Sequence, residues 1–579
     1  MNETIFDLKG NKTKTYLILA LFPVAIYIKS LFYDFSPMDD QWMIIRNADI
    51  LSDWKNIETF FTKPLAGLYY RPLFSLSLML DFHLGHTSPF IYHFSNLIYH
   101  LIAVILLYKL FIALDIENKV AVLLSIVFSI HPALLHSVAW IPGRNDILLS
   151  IFALSSSLFL IDYLIEKKIK FIIFHLLLFV CAMLTKENAI ILPLFFGGVI
   201  FYIEKNKKNF VLFISSWLII IAAWYFVRHL AVQSSLSLGN DSIESLKKFA
   251  MGLLLYIGKT IIPIQQSVFP TLKNSSIIYG VIALIILTVS ILKFGFKNKV
   301  LAILGLILFF SSLIIPVWYG ATGNSGEHYE QRIYLPLIGL LLLISQVNFN
   351  QHSTMFTYVI VFMMLIFSIK TFFRMAIYKT EKSFIEAGLK EAPEYYFFYA
   401  VKGDNLLKQQ KYPEAITYYN SAIKMQPTRP QLFSSRGYAY TEIGKMKEAI
   451  ADFSKAIEFS KDNPDMYFNR CLAYKKMGDY ENALKDLSIL KQTSPQTIPQ
   501  GLEQELTELF YNFLCDNINA QIMNEPQNAE LYVRRAKLYI SKNNLQAALD
   551  DVQHACELEP NNSLFKKFLN QISSRLAAK

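Results

Sequence analysis

The sequence predicts an all-α protein in two parts: a polytopic helical membrane body followed by a soluble solenoid of helical repeats. Up to Tyr378 the chain is a series of long apolar runs joined by short polar loops, and from Tyr395 one pattern recurs at a fixed interval. Lysines gathered beside the apolar runs orient the body in its bilayer. With 579 residues, 54% of them hydrophobic, and a mean hydropathy of +0.34, the chain is too apolar for an ordinary multidomain soluble protein. The net charge of +10 is spread over short clusters with no basic block, which argues against nucleic acid as a partner and for membrane lipids.

The runs at 276–292, 300–319 and 355–373 approach or reach the ~20 residues that cover a ~30 Å hydrocarbon core. Hydropathy places spans near 15–33, 91–114, 119–136, 146–165, 170–185, 188–203, 210–230, 276–293, 299–318, 332–346 and 355–374, about eleven in all. Residues 12–28 superficially resemble a secretory signal. They lack a small-x-small cleavage site and are interrupted by Tyr, Phe and Pro, so they read as an uncleaved first span. The segment 245–263 is ambiguous, because it carries Lys247, Lys248, Lys259, Gly252 and Gly258 and ends at a proline. Charge decides it. The clusters Lys9/Lys12/Lys14, Lys167/Lys168/Lys170, Lys205/Lys207/Lys208 and Lys293/Lys297/Lys299 all fall on the cytoplasmic side only if 245–263 does not fully cross. It is then an interfacial or re-entrant helix on the outer face. The odd count puts the C-terminal tail outside as well, in the periplasm of a bacterium or the ER lumen of a eukaryote.

The four cysteines form no framework: Cys181 lies in an apolar run, and Cys471, Cys515 and Cys556 are scattered without a CxxC pair. They read as small buried hydrophobes. The body is taken as 1–378, a linker as 379–394 and the tail as 395–579. In the tail, Gly403, Gly437 and Cys471 are 34 residues apart, as are Ala415, Ala449 and Ala483. Units near 395–428, 429–463, 464–495 and 526–560 fit the 34-residue tetratricopeptide period, with small residues where paired helices approach and Pro427, Pro464 and Pro495 closing units. The stretch 496–525 breaks the period and reads as a degenerate or shortened helical pair. Such arrays present a concave surface, so an acceptor protein or glycan held there is the expected partner, with an inert stalk as the bland alternative.

On this topology the ionisable residues gather on the outer face. The first outer loop holds Asp39, Asp40, Arg71 and Asp81. A second turn holds His131, His136, Arg144 and Asp146, a third Lys186 and Glu187, and a fourth Glu327, Glu330 and Arg332. Singly, each has a bland reading: Arg144 with Asp146, or Lys186 with Glu187, could be ordinary ion pairs, and His131 could satisfy a loop carbonyl. Together they point to chemistry, because ionisable groups at membrane depth are costly. Arg144, Lys186 and Arg332 suit a phosphate at headgroup depth. A neighbouring carboxylate, Asp39 or Asp40, suits a general base that deprotonates a hydroxyl. His131, His136, Asp146, Glu187, Glu330 and Arg71 would support them. Transfer of a sugar from a lipid phosphate uses both elements, and the charged leaving phosphate needs cations and no dedicated acid. Asp39-Asp40 with a nearby histidine could hold a divalent metal, although no ligand spacing demands one.

At these residues the chain resembles the transmembrane and tetratricopeptide-repeat-containing O-mannosyltransferases, and more broadly the C-type membrane glycosyltransferases. The resemblance rests on Met38-Asp39-Asp40 after the first span, His131-Pro132 through Gly143-Arg144-Asn145-Asp146, Lys186-Glu187-Asn188, and Glu330-Gln331-Arg332-Ile333-Tyr334-Leu335-Pro336. It implies a C-type helical body, a polyprenyl- or dolichyl-phosphate sugar donor, a protein Ser/Thr acceptor, catalysis on the non-cytoplasmic face, and an aspartate base in the first outer loop, here Asp39 or Asp40. Two alternatives stay open: a transferase or ligase acting on a glycan or lipid, and a non-catalytic scaffold whose repeats recruit partners. A scaffold has no reason to bring Asp39/Asp40 and Arg332 together.

Overall fold

The structure, a computed structural model, describes residues 12–64, 69–204, 210–232, 242–322, 327–348 and 353–577. The described residues form helices and turns, with two isolated bridges, Thr271 to Glu327 and Phe296 to Val347. The chain divides into two compact units, Met1–Pro393 and Glu394–Lys579.

Among the described residues of the first unit six helices are long and apolar enough to cross a membrane: Thr13–Phe32, Pro89–Ala113, Ile141–Glu166, Phe210–Ala231, Lys299–Thr322 and Thr354–Tyr378. A seventh is Asn118–Ile130 with Pro132–Ala139, bent by 48° where a proline withholds its N–H. These long helices number fewer than the expected eleven or so spans. Three of the remaining apolar runs form the short helices Ile169–Thr185, Glu187–Ile203 and Ile278–Phe294, and a fourth forms the 12-residue helix Tyr334–Ser345. At ~1.5 Å per residue none of these reaches across a ~30 Å core untilted. Lys186, buried in an ion pair, breaks what hydropathy alone reads as two adjoining spans. The helix Phe210–Ala231 turns Leu212, Leu218, Ile219 and Phe226 outward, each more than half exposed, a surface suited to lipid.

The ambiguous segment is the helix Ser242–Ile261, which is not among the long apolar helices. Its first turns are exposed and its last two turns are buried. Of the lysine clusters used to orient the body, Lys9 and Lys205/Lys207/Lys208 lie outside the described residues. The expected linker 379–394 is instead largely a helix of the first unit, Glu381–Glu391, started by a capping box between Thr380 and Ser383. Its last residue, Glu391, takes both arms of Arg374 at 2.9 and 3.0 Å and the Val268 N–H at 3.0 Å.

The second unit stacks helix pairs: Tyr396–Lys408 with Tyr412–Met425, Pro430–Glu442 with Met446–Phe459, Pro464–Met477 with Tyr480–Thr493, and Ala529–Ser541 with Leu545–Leu558, followed by Ser563–Ala577. The small positions work as close-approach points. A Cβ on Gly403 would stand 2.8 Å from the Tyr419 ring, and one on Gly437 2.9 Å from Phe453. Pro464 opens the third pair at the first helical turn and does not close the second. Residues 496–525 do not form a shortened pair. They hold one 23-residue helix, Leu502–Asn524, because no Gly or Pro interrupts it.

Candidate functional site

The first long helix tightens to a 3-10 turn at Ile28–Phe32, and the chain then turns at 36–40. Asp40 pins this turn by accepting the Ser36 N–H on Oδ2 at 2.8 Å. It is 1% exposed, and burial, then the charge of Asp39, push its carboxyl up to about 8 against the pull of the Ser36 N–H and Arg144. Asp39 is half-buried and faces other elements. Burial and the Glu327 carboxylate push it up to about 6, while Arg71 pulls it down. Of the two aspartates, Asp39 is the one with an accessible carboxylate in a range suited to a general base.

Arg71 stands just before the helix Pro72–Gly85. It binds Glu187 with both arms, Nε to Oε2 at 3.0 Å and Nη2 to Oε1 at 2.5 Å, and lies over the Tyr69 ring at 4.2 Å. Tyr69 in turn meets Tyr319, ring to ring at 6.3 Å. Arg332 sits in the 3-10 turn Glu330–Ile333. Its Nη1 donates to the carbonyls of Pro316 at 3.2 Å and Glu327 at 2.9 Å, and its guanidinium lies near the Tyr319 and Tyr329 rings. The Glu327 carboxylate thus acts electrostatically on both Asp39 and Arg332, Arg71 acts on Asp39, and both arginines act on Tyr69. In both arginines part of the fork stays outside these hydrogen bonds.

Two expected phosphate ligands are corrected. Arg144 is fully buried. It donates to Asn96 Oδ1 at 2.7 Å, Tyr92 O at 2.8 Å and Ser77 O at 3.3 Å, and pairs with Asp81 Oδ2 at 2.5 Å. With Nε and both Nη groups engaged it cannot also grip a phosphate. Lys186 is likewise saturated: its three N–H groups reach Asp146 Oδ1 at 2.6 Å, Asp146 Oδ2 at 2.7 Å and Asn145 Oδ1 at 3.2 Å. Arg144 and Asp146, two residues apart in sequence, each pair with another element.

The supporting residues divide. Glu187 pairs with Arg71, and Asp146 holds Lys186. Glu330 is buried against Lys259, Oε1 to Nζ at 2.7 Å. His131 caps the turn after it: Nδ1 accepts the Ala133 N–H at 3.2 Å, so Nε2–H donates to Thr260 O at 3.0 Å. His136 is packed among Trp140, Tyr329 and Tyr378. Both histidines stand with the packing and not with Asp39. Sequence reasoning named Glu327 and Lys259 without giving either a role, and passed over Tyr69 and Tyr319. Glu327 stood in the mixed-charge loop as a visible signal, whereas the tyrosines carried none. Among the described residues no three His, Cys, Asp or Glu side chains converge as a metal site would require. Two cavities, of about 530 Å³ against Trp217 and Gly198 and about 260 Å³ against Leu341 and Phe367, are apolar and are not lined by Asp39, Arg71 or Arg332.

Fold and site together define a helical membrane body with charged side chains at its helix ends, continued by tetratricopeptide repeats. Repeat models described as "TPR repeat" match 403–444 and 437–478, and "Tetratricopeptide repeat" matches 529–562. The resemblance read from the motifs holds among relatives. Protein O-mannosyl-transferase F38B6.6 of Caenorhabditis elegans is 25% identical over 460 residues, covering 72% of this chain and 64% of that protein. Protein O-mannosyl-transferase TMTC3 of Homo sapiens is 32% identical over 143 residues, 23% of this chain and 15% of that protein. The chain thus spans less than two thirds of the length of these relatives. Among solved structures, YrrB, a TPR protein with an unusual peptide-binding site, is 18% identical with a TM-score of 0.21, covering 32% of this chain and 96% of that one.

Proposed function

We propose that this chain is a membrane glycosyltransferase that moves a sugar, mannose by analogy with its relatives, from a polyprenyl-phosphate-type lipid to a protein hydroxyl on the non-cytoplasmic face. The observation that supports this best is one half-buried carboxylate, Asp39, under the charge of Arg71 and Glu327, with Arg332 held on the Glu327 carbonyl and the forks of both arginines only partly used. Asp39 takes the proton of the acceptor hydroxyl as its oxygen attacks the anomeric carbon. The carbon–oxygen bond to the phosphate breaks, and the lipid phosphate leaves with the electron pair between the two arginines. Attack opposite the leaving group inverts the anomeric centre. In this reading the shorter apolar helices also cross where the bilayer thins around them and flanking residues snorkel, which gives the C-type count of about eleven spans and puts the repeats on Asp39's side of the bilayer. The repeats would hold the acceptor polypeptide there.

The test is transfer from polyprenyl-phosphate mannose to envelope or secretory proteins, read by mass spectrometry with wild-type chain and with Asp39→Asn. Transfer that falls ~100-fold or more supports the reading, on the scale of a lost general base. Full transfer by Asp39→Asn overturns it.

A further inference from the structure

We infer that Tyr256 and Lys259 of the helix Ser242–Ile261 are positioning residues that set the Arg332 guanidinium, so that this short helix governs how tightly the lipid phosphate is held. The inference rests on the reading just given. The two residues are three apart, which puts them on one face of the helix, and that face meets the turn carrying Arg332. The Tyr256 hydroxyl donates to Tyr329 O at 3.2 Å, and its phenol adjoins the Arg332 guanidinium. One turn later Lys259 Nζ donates to Glu330 Oε1 at 2.7 Å. The helix therefore holds the residues on the N-terminal side of Arg332, one by its backbone carbonyl and one by its side chain, and touches Arg332 itself.

The seat is close and tied at its end. A Cβ on Gly252 would stand 2.8 Å from the His328 ring, and one on Gly258 2.6 Å from the Gly280 backbone nitrogen. Thr260 O receives the His131 Nε2–H, which gives the His131-Pro132 motif a role that catalysis did not. Lys370 Nζ donates to the carbonyls of Pro263 and Ile264 just beyond. Lys259 and Glu330 are 3% and 4% exposed. A buried ion pair is a poor source of stability, since apolar residues of similar volume often serve as well or better. What such a pair supplies here is a fixed register for the turn. The same helix exposes Ile243 at 85% and Leu246 at 61% on its first turns, so the end away from Arg332 carries little of this packing.

The experiment titrates full-length chain in lipid nanodiscs with polyprenyl monophosphate as the probe. Wild type is compared with Tyr256→Phe, Lys259→Met, Lys259→Arg, Arg332→Ala and the double variant Lys259→Met/Arg332→Ala. Lys259→Met is expected to weaken phosphate binding about tenfold, with Lys259→Arg restoring most of it, and the double variant to bind no worse than Arg332→Ala, as coupled residues do. Tyr256→Phe removes one hydroxyl and leaves the packing, so it should show a smaller loss even if Lys259→Met fails to fold. Wild-type affinity in both Tyr256→Phe and Lys259→Met, with Arg332→Ala impaired, would overturn this inference alone. Wild-type affinity in Arg332→Ala would overturn the phosphate reading and this inference with it.

Discussion

In the tail, Arg436, Arg470 and Arg535 repeat one arrangement. Each binds an aspartate 16 residues ahead with both arms, Asp452, Asp486 and Asp551, at 2.6 to 2.9 Å, and each sends Nη1 to a polar side chain 16 residues behind, Asn420, Ser454 and Asn519. Among the described residues of the body no ion pair repeats with a fixed spacing of this kind. Arg71 reaches Glu187 across 116 residues, Lys259 reaches Glu330 across 71 and Lys186 reaches Asp146 across 40. A pair that recurs with the structural period belongs to the scaffold, because the same local geometry made it each time. A pair formed once, from distant elements, records a constraint particular to that place. Within the body a second distinction follows: Arg144 and Lys186 use their hydrogen-bonding capacity inside the protein, while Arg71 and Arg332 keep part of theirs.

That distinction breaks most sharply at Arg144. Arg144→Ala leaves Asp81 buried and unpaired among the helices Pro72–Gly85 and Pro89–Ala113, and is expected to cost about 3–5 kcal/mol, enough to prevent stable insertion. The check is the yield of folded protein in membranes. Normal yield with selectively lost donor binding would return Arg144 to the phosphate site. Asp39 should behave in the opposite way. Asp39→Asn leaves yield unchanged and removes turnover, and wild-type turnover should rise with pH through about 6 as the base loses its proton. A flat rate between pH 5 and 7 in the wild type would remove Asp39 from that role.

Asp40 sharpens the same contrast by a smaller amount. Its carboxyl, raised from 3.8 to about 8 chiefly by burial, holds its proton in the fold where the unfolded chain would release it. The native state then binds more protons between those values, so the stability this group contributes is greatest in acid and falls as pH rises from about 4 to about 8. Asp40→Asn keeps the acceptor for the Ser36 N–H and should flatten that slope while turnover stays within a few-fold of wild type. Thermal unfolding across pH 5 to 8 in both proteins checks this, and a steeper slope in Asp40→Asn would contradict it.

How far the sequence carried these assignments differs by region for physical reasons. The repeat pairs were legible because Gly403, Gly437 and Cys471 return every 34 residues, as do Ala415, Ala449 and Ala483, a signal that needs no tertiary knowledge. The long helix Leu502–Asn524 and the capped helix Glu381–Glu391 were not, since both stand outside the period and their signals are local. In the body, hydropathy found where apolar helices lie and where they part at Lys186, but not the 48° bend after Ile130. At the site, Asp39, Arg71 and Arg332 were visible as charges at helix ends. Which cation is already neutralised was not, because Asp81 and Asp146 are supplied by packing that spacing does not reveal.

The smallest expected effect belongs to the tail and bears on the comparison directly. Arg470 binds Asp486 at 2.9 and 2.7 Å and Ser454 at 3.0 Å, with the arginine side chain 19% exposed. Arg470→Lys keeps the charge but replaces a planar fork with a point donor, so only one of three contacts can be kept in good geometry. Partial exposure and screening hold the cost to about 0.5–1 kcal/mol, a fall of about 1–4 °C in the Tm of a unit this size. Because the arrangement recurs on both sides, its neighbours Arg436 and Arg535 stay clasped and the array remains folded. Polyprenyl phosphate binding should be unaffected, since on the present reading the tail pairs are scaffold and the phosphate is held in the body. If Arg470→Lys weakened that binding as much as Arg332→Lys, periodic and unique ion pairs would not be separable by role, and Arg332 would lose its distinction.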